Sequence, residues 1–75
     1  MRYRVIAKAV ADRRRMLVVD DQDMYYILTM SGLRATRQPI TLAEARRMQF
    51  DRAWVPALDH TPRTMRDLSD GLTYR

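Results

Sequence analysis

The first ten residues alternate between two kinds of side chain. The odd positions carry the more apolar set, which is Met1, Tyr3, Val5, Ala7 and Ala9. The even positions carry all three cations of the segment, Arg2, Arg4 and Lys8, together with Ile6 and Val10. Successive side chains of a β-strand point to opposite faces, so a repeat of two residues predicts a strand. We expect one face of this strand to meet the core and the face with Arg2, Arg4 and Lys8 to lie on the other side.

Two more strands are predicted after short polar turns. Residues 16–19 (MLVV) form an apolar run between polar clusters, which is typical of a strand buried on both sides. Residues 24–30 (MYYILTM) are rich in β-branched and aromatic side chains, which favour strands. We expect the core-facing set to be Met24, Tyr26, Leu28 and Met30, and the opposite set to be Tyr25, Ile27 and Thr29. Turns this short favour an antiparallel meander, followed over residues 33–38 by a loop or an irregular fourth strand.

Helices are predicted in the second half of the chain. Thr41 and Glu44 have the spacing of a capping box, which predicts a helix over residues 42–50. Thr61 followed by Pro62 predicts a second helix with Thr61 as its N-cap. Pro56 would confine a short strand near Trp54 to a sheet edge. The interval between the helices, about ten residues, is too long for a helix-turn-helix motif, whose turn has roughly three or four residues.

The predicted fold class is α+β, as a single small domain over residues 1–75. It has a three-stranded antiparallel meander, two short helices packed on one face and a short edge strand near Trp54. The alternative is a small open barrel in which the helices are only turns. The chain contains no cysteine, so no disulfide and no cysteine-ligated zinc can hold this fold together. A core of this size is marginally stable, and a partner subunit would add stability.

Two features of the composition bear on location and partners. No apolar run approaches the ~20 residues of a membrane span, and no signal-peptide core opens the chain, so we expect a cytoplasmic protein without a membrane partner. Fourteen basic residues, of which thirteen are arginine, stand against nine acidic ones, for a net charge of +5. Such a charge raises the encounter rate with nucleic acid and with acidic proteins alike.

Catalytic and ligand-binding motifs have little support in this sequence. Asp59 and His60 could form an acid–base pair, but no nucleophile accompanies them. The aspartates of residues 20–23 lack the spacing and the glycine of a calcium loop. No phosphate-binding loop, dinucleotide fingerprint or zinc-ligand spacing is present. We therefore expect no enzyme activity, no cofactor, no metal and no small-molecule substrate.

The functional prediction concerns the sheet face that the helices leave uncovered. Two helices packed on one side would leave the other side with apolar residues ringed by arginines, which indicates a contact surface. The predicted binding residues are Arg2, Arg4, Lys8, Arg13, Arg14, Arg15, Tyr25 and Ile27. We expect a non-enzymatic protein-interaction module, either a homodimer or a small subunit or inhibitor that docks on a larger protein. The alternative is a regulatory module that binds DNA or RNA through the same basic face.

Overall fold

The computed structural model describes residues 1–32 and 34–73, with side-chain surroundings given as far as residue 69. The elements in chain order are β1 (Tyr3–Ala9), β2 (Arg15–Asp20), β3 (Tyr25–Ser31), β4 (Arg34–Ile40), α1 (Leu42–Gln49), β5 (Trp54–Pro56) and α2 (Met65–Thr73). The strands form one antiparallel sheet in the order β4-β3-β2-β1-β5. The mixed α+β class is therefore confirmed. The meander has four strands rather than three, because residues 34–40 pair with β3 along their whole length.

The alternation of the first ten residues does form a strand. Tyr3 and Val5 are buried in β1, whereas Arg2 and Arg4 are exposed. The register then changes: Val5 lies opposite Val18, but Ala7 lies opposite Leu17. Between these two pairs β1 advances by two residues while β2 advances by one, which is a β-bulge. Because neighbouring residues of β2 point to opposite faces, the bulge moves every later side chain of β1 to the other face.

The core has two parts, one on each side of the sheet. The part that includes Leu68 of α2 contains the buried residues Tyr3, Val5, Met16, Val18, Leu28 and Met30, and we call this side the α2 face. The part that includes Ala45 of α1 contains Ala7 and Leu17, with Tyr25, Ile40, Met48 and Trp54 packed against it, and we call this side the α1 face. The prediction that both helices pack on one face is therefore wrong. The apolar run of β2 leaves no polar side to the strand, so both of its faces need a cover.

The two helix starts differ in how well the sequence predicts them. The capping box of α1 is confirmed, since the Glu44 amide donates to the Thr41 hydroxyl at 3.1 Å and the Glu44 carboxylate accepts from the Thr41 amide. The second helix begins later than predicted, and Thr61 is not its N-cap. Thr64 has that role, because its hydroxyl accepts from the Asp67 amide at 3.2 Å while the Asp67 carboxylate accepts from the Thr64 amide.

The chain between β5 and α2 runs along the outer edge of β1. The Ala57 amide donates to the Ile6 carbonyl, and Tyr3 and Arg63 exchange a pair of backbone hydrogen bonds of 2.7 and 2.8 Å. Because Arg63 is paired with β1, α2 begins only after this residue and not at Thr61. The edge strand predicted near Trp54 is confirmed as β5. Met24, predicted to face the core, instead lies in the turn before β3 and is 49% exposed.

Both outer edges of the sheet contain a proline. Pro39 lies opposite Tyr26 in β4, and since proline has no amide hydrogen, it must direct its nitrogen away from β3. Pro56 of β5 lies opposite Ala7 of β1. The hydrogen-bonded pairs are the ones on either side of this pair, so the Pro56 nitrogen points outward. The only amide of β5 that points outward with it is that of Trp54, and this amide donates to the Asp51 carbonyl.

Candidate functional site

The residues predicted to form one binding face lie in three separate places. Arg4, Tyr25 and Ile27 share the α1 face, since Arg4 pairs with Val19 and these two β3 residues pair with Val19 and Leu17. Lys8 pairs with Met16 and therefore lies on the α2 face. The prediction of a single surface is wrong because the bulge reverses the facing of β1 between Arg4 and Lys8, and the alternation in the sequence gives no sign of it.

The α1 face is not the uncovered surface that the sequence predicts. Tyr25 packs against the cluster of Ala7, Leu17 and Ala45, and α1 lies over it. Arg4 is exposed near the turn between β2 and β3, where its guanidinium lies 3.5 Å from the Asp23 carboxylate. Arg2 is exposed beside it in sequence. These arginines therefore lie at one end of the sheet, next to a turn rich in aspartate.

An open groove of about 800 Å³ lies on the α2 face. Its floor is formed by sheet residues that include Val5 and Met16, and α2 contributes Leu68 to one side. The segment from Val55 to Asp59 forms the opposite side. The groove exists because α2 crosses the sheet obliquely, from its start beside Tyr3 to Ser69, whose hydroxyl donates to the Gly32 carbonyl. The corner of the sheet next to β5 is left without a covering helix.

Large apolar side chains at the groove reach into solvent. Val10 is 59% exposed and Val55 53% exposed, and Leu58 is fully exposed. Isolated exposed apolar residues are ordinary, but a contiguous group beside a concavity is typical of a contact surface. The sequence gives one signal for this group, which is the run of residues 55–58 (VPAL) outside any amphipathic helix. None of these four residues is among those predicted to bind a partner.

Charged residues line the rim of this groove. Lys8 and Arg13, two of the predicted binding residues, belong to it, and neither forms an ion pair within the part of the chain that the structure describes. Arg63 also lines the groove, but its guanidinium lies 3.0 Å from the Asp59 carboxylate. The groove therefore has two cations whose charge is available to a partner.

The loop beside the groove is held by Asp59. Its carboxylate accepts hydrogen bonds from the Thr61 hydroxyl, the Thr61 amide and the Arg63 guanidinium. These bonds, that of the Thr61 hydroxyl first, lower the pKa of Asp59 to about 2. The neighbouring His60 ring contacts the Ala57 carbonyl at 2.9 Å. Asp59 and His60 thus bond to different groups of their own loop, which is a structural role.

A second concentration of charge lies where β1 and β3 end. In an antiparallel sheet the β1–β2 and β3–β4 connections leave from the same end, and β5 begins there as well. Five arginines lie in or next to these connections, and we call them the basic end: Arg13, Arg14, Arg15, Arg34 and Arg52. Arg14 lies 3.2 Å from the Asp12 carboxylate, and the Arg15 guanidinium lies 5.8 Å from the centre of the Trp54 ring. Phe50, which caps the end of α1, is 91% exposed near this end.

Within the described residues, no group of three or more histidine or acidic side chains is placed to hold a metal ion. The aspartates of residues 20–23 form a hairpin turn, in which the Asp20 carboxylate accepts from the Gln22 and Met24 amides at 2.9 Å each. Neither described helix is long and apolar enough to cross a membrane. Comparison with protein families, with curated proteins and with solved structures finds no match for this chain.

Proposed function

We propose that this protein is a non-enzymatic interaction module that docks on a larger protein through the groove on its α2 face. The observation that carries the proposal is the exposure of Val10, Val55 and Leu58 around a concavity with an apolar floor. Burial of apolar surface is the main favourable term in most protein association. We also propose the cytoplasm, expected from the sequence, as the compartment in which the module acts.

Docking through the groove is favoured over association through the sheet edges. An edge strand recruits another strand with its outward amides and carbonyls. Pro39 and Pro56 each remove one outward amide, and the Trp54 amide is already bonded to Asp51. The backbone amide and carbonyl of Arg37, two residues before Pro39, also point outward from β4. A second copy that paired with β4 about this residue would therefore bring two arginines together. A homodimer, if one forms, would therefore use the groove rather than β4.

Site-specific crosslinking tests the proposal. A photoreactive residue placed at position 58 should form one adduct of defined mass with a larger protein in cells that produce this chain natively. The control is the same residue at position 47, which is exposed on α1 on the other side of the sheet. Equal adducts from both positions, or none from position 58, would contradict the proposal. An adduct of twice the mass of the chain would identify self-association at the groove instead.

The basic end supports nucleic-acid binding as a second candidate function. Its five arginines stand against two aspartates in the same connections, Asp12 and Asp51. Arginine pairs with phosphate and stacks on bases, and the exposed ring of Phe50 lies in the connection that carries Arg52. This candidate moves the predicted nucleic-acid site from the sheet face to the end of the sheet.

A salt titration tests this second candidate. We expect Arg14→Ala with Arg34→Ala to weaken binding of a labelled single-stranded oligonucleotide. The slope of log affinity against log salt should decrease by roughly 1 for each phosphate that is no longer neutralised. The matched control is Arg2→Ala with Arg4→Ala, which removes the same charge from the opposite end. An equal decrease in both pairs would indicate general electrostatic attraction, and no binding at low salt by the wild-type chain would end the candidate.

A further inference from the structure

We propose that the groove receives an acidic, amphipathic segment of the partner protein, with an aliphatic side chain against Met16 and Leu68 and a carboxylate held by Lys8 and Arg13. The inference rests on the proposed docking function and gives the chemistry of the surface that would dock. It uses two independent properties of the groove: its apolar floor, and the cations Lys8 and Arg13, which form no ion pair within the described residues.

The floor of the groove selects an aliphatic group. Val5, Met16 and Leu68 are all buried core residues, and the groove exposes only their outer atoms. Methionine is flexible and polarisable, so Met16 can adapt to the shape of an inserted chain. An aliphatic side chain at this place would displace water that has few hydrogen-bond partners there.

The rim of the groove selects a negative charge. Lys8 and Arg13 line it without an ion pair within the described residues, whereas the third cation, Arg63, is bonded to Asp59. Long basic side chains lay their apolar stems along a surface and keep their charged groups in water. A carboxylate that arrives with the segment would meet two cations to which no described acidic residue is bonded. Asp59 and Asp67, which also line the groove, are bonded to Arg63 and Thr64 instead.

The extent of the apolar surface favours a protein segment over a small anionic molecule. Leu58 and Val55 line the groove, yet Leu58 is fully exposed and Val55 is 53% exposed. The apolar surface is therefore spread along an open border, and a small molecule would bury little of it. A segment several residues long, in a helix or an extended form, could cover the floor and the border together.

The groove is poorly suited to nucleic acid. None of the described residues that line it is aromatic, so bases would have no ring on which to stack. Nucleic acid is therefore assigned to the basic end, and the groove is assigned to protein.

Peptide selection on the whole chain tests the inference. A display library of random peptides is selected on the immobilised protein, and the bound peptides are sequenced. We expect enrichment of peptides that combine aliphatic residues with aspartate or glutamate. Their addition to the isotope-labelled protein should shift the amide signals of Val5, Met16 and Leu68 more than those of Ala45 and Met48 on the other face.

Two pairs of charge reversals separate the groove from general electrostatics. Lys8→Glu with Arg13→Glu should weaken the selected peptides at least tenfold. Arg46→Glu with Arg47→Glu makes the same change of charge on α1 and should leave the affinity within about twofold. Circular dichroism checks the fold of both variants, and Lys8→Gln with Arg13→Gln serves as a milder pair if the reversal unfolds the chain.

Several results would overturn the inference. They are the selection of neutral or basic peptides, undiminished binding by the variant reversed at positions 8 and 13, and signal shifts confined to the α1 face. If crosslinking from position 58 succeeds while these results occur, the docking function stands and only the chemistry assigned to the partner is wrong. If crosslinking from position 58 also fails, the docking function itself is wrong.

Discussion

Asp20 shows how a single residue organises the turn at one end of the sheet. It is a buried carboxylate at the end of β2, and it accepts hydrogen bonds from the Gln22 and Met24 amides. The hydrogen bond from Met24 is the main reason that the pKa of Asp20 lies below its usual value. A positive φ of 61° at Asp23 completes the turn. The ionised form of Asp20 is therefore part of the native structure.

The stability of the protein should decrease in acid. Both Asp20 and Asp59 have a lower pKa in the folded chain than the ordinary value of 3.8, so the unfolded chain binds protons first as the pH falls. The stability that these carboxylates contribute is present above the ordinary pKa of 3.8 and is lost as the pH falls through their folded pKa values, that of Asp59 being about 2. Urea unfolding between pH 6 and pH 2 should show the midpoint decreasing over this window.

Substitution separates the contribution of Asp20 from that of the other carboxylates. Asp20→Asn should destabilise the chain at pH 6 and make the dependence of the urea midpoint on pH shallower. Asp21→Asn removes an exposed carboxylate from the same turn and serves as the matched control. Equal curves for the two variants would show that Asp20 does not contribute through its charge.

A neighbouring group of residues shows what the sequence could not predict at this scale. The Arg37 guanidinium donates to the Tyr3 hydroxyl at 2.9 Å and lies 5.2 Å from the centre of the Tyr26 ring, so it covers part of the α2 face. The bond to Tyr3 raises the pKa of Arg37. Residues 3 and 37 are brought together only by the pairing of β4, a segment for which the sequence predicts a loop or an irregular strand. Sequence spacing gives no sign of their proximity.

At the scale of elements, the start of α1 at Thr41 is the most predictable feature. The Thr41–Glu44 box depends on residues three positions apart, so its geometry is set locally. The bulge in β1 could not be predicted, because Ile6 and Ala7 both fit the alternation and the extra residue appears only against β2. The placement of the helices could have been predicted, since the apolar run of residues 16–19 requires cover on both faces.

The capping box of α1 gives a prediction for this element. Thr41→Ala should lower the free energy of unfolding by about 1 kcal/mol, because the Glu44 amide loses its acceptor. Thr41→Ser keeps the hydroxyl and should recover most of that stability. Urea unfolding of the three proteins measures the difference. Equal stability of Thr41→Ala and the wild type would show that α1 is held by its packing on the sheet and not by this cap.

At the scale of the whole molecule, the prolines of the edge strands decide how the sheet can associate. Pro39→Thr gives β4 an additional outward amide, and we expect the variant to associate more strongly with increasing concentration than the wild type does. Sedimentation equilibrium over a range of concentrations measures this. Gln38→Thr is the matched control, since it introduces the same residue at the adjacent position, whose amide points toward β3. Association of both variants to the same extent would exclude the role assigned to Pro39.

Only part of the candidate site could be predicted from the sequence, because the groove depends on how the whole chain is assembled. The sequence predicts Lys8 as part of a sheet face and Arg13 as part of a basic hairpin end, and the structure places both at the groove. Leu58 and Val55 were missed, because exposure depends on where α2 crosses the sheet, which no local pattern in the sequence encodes. A groove formed by the direction of a helix is a property of the assembled chain.

The central strand has a consequence for how this protein unfolds as well as for how it is held. Met16 and Val18 belong to one half of the interior, and Leu17 and Val19 point toward the other. Loss of packing on either side would expose the apolar side chains on one face of β2. The packing on the other face depends on the same strand. We therefore expect neither half of the core to stay folded without the other, so that the chain unfolds in a single cooperative transition. Removal of one helix by a protease should unfold both halves of the core.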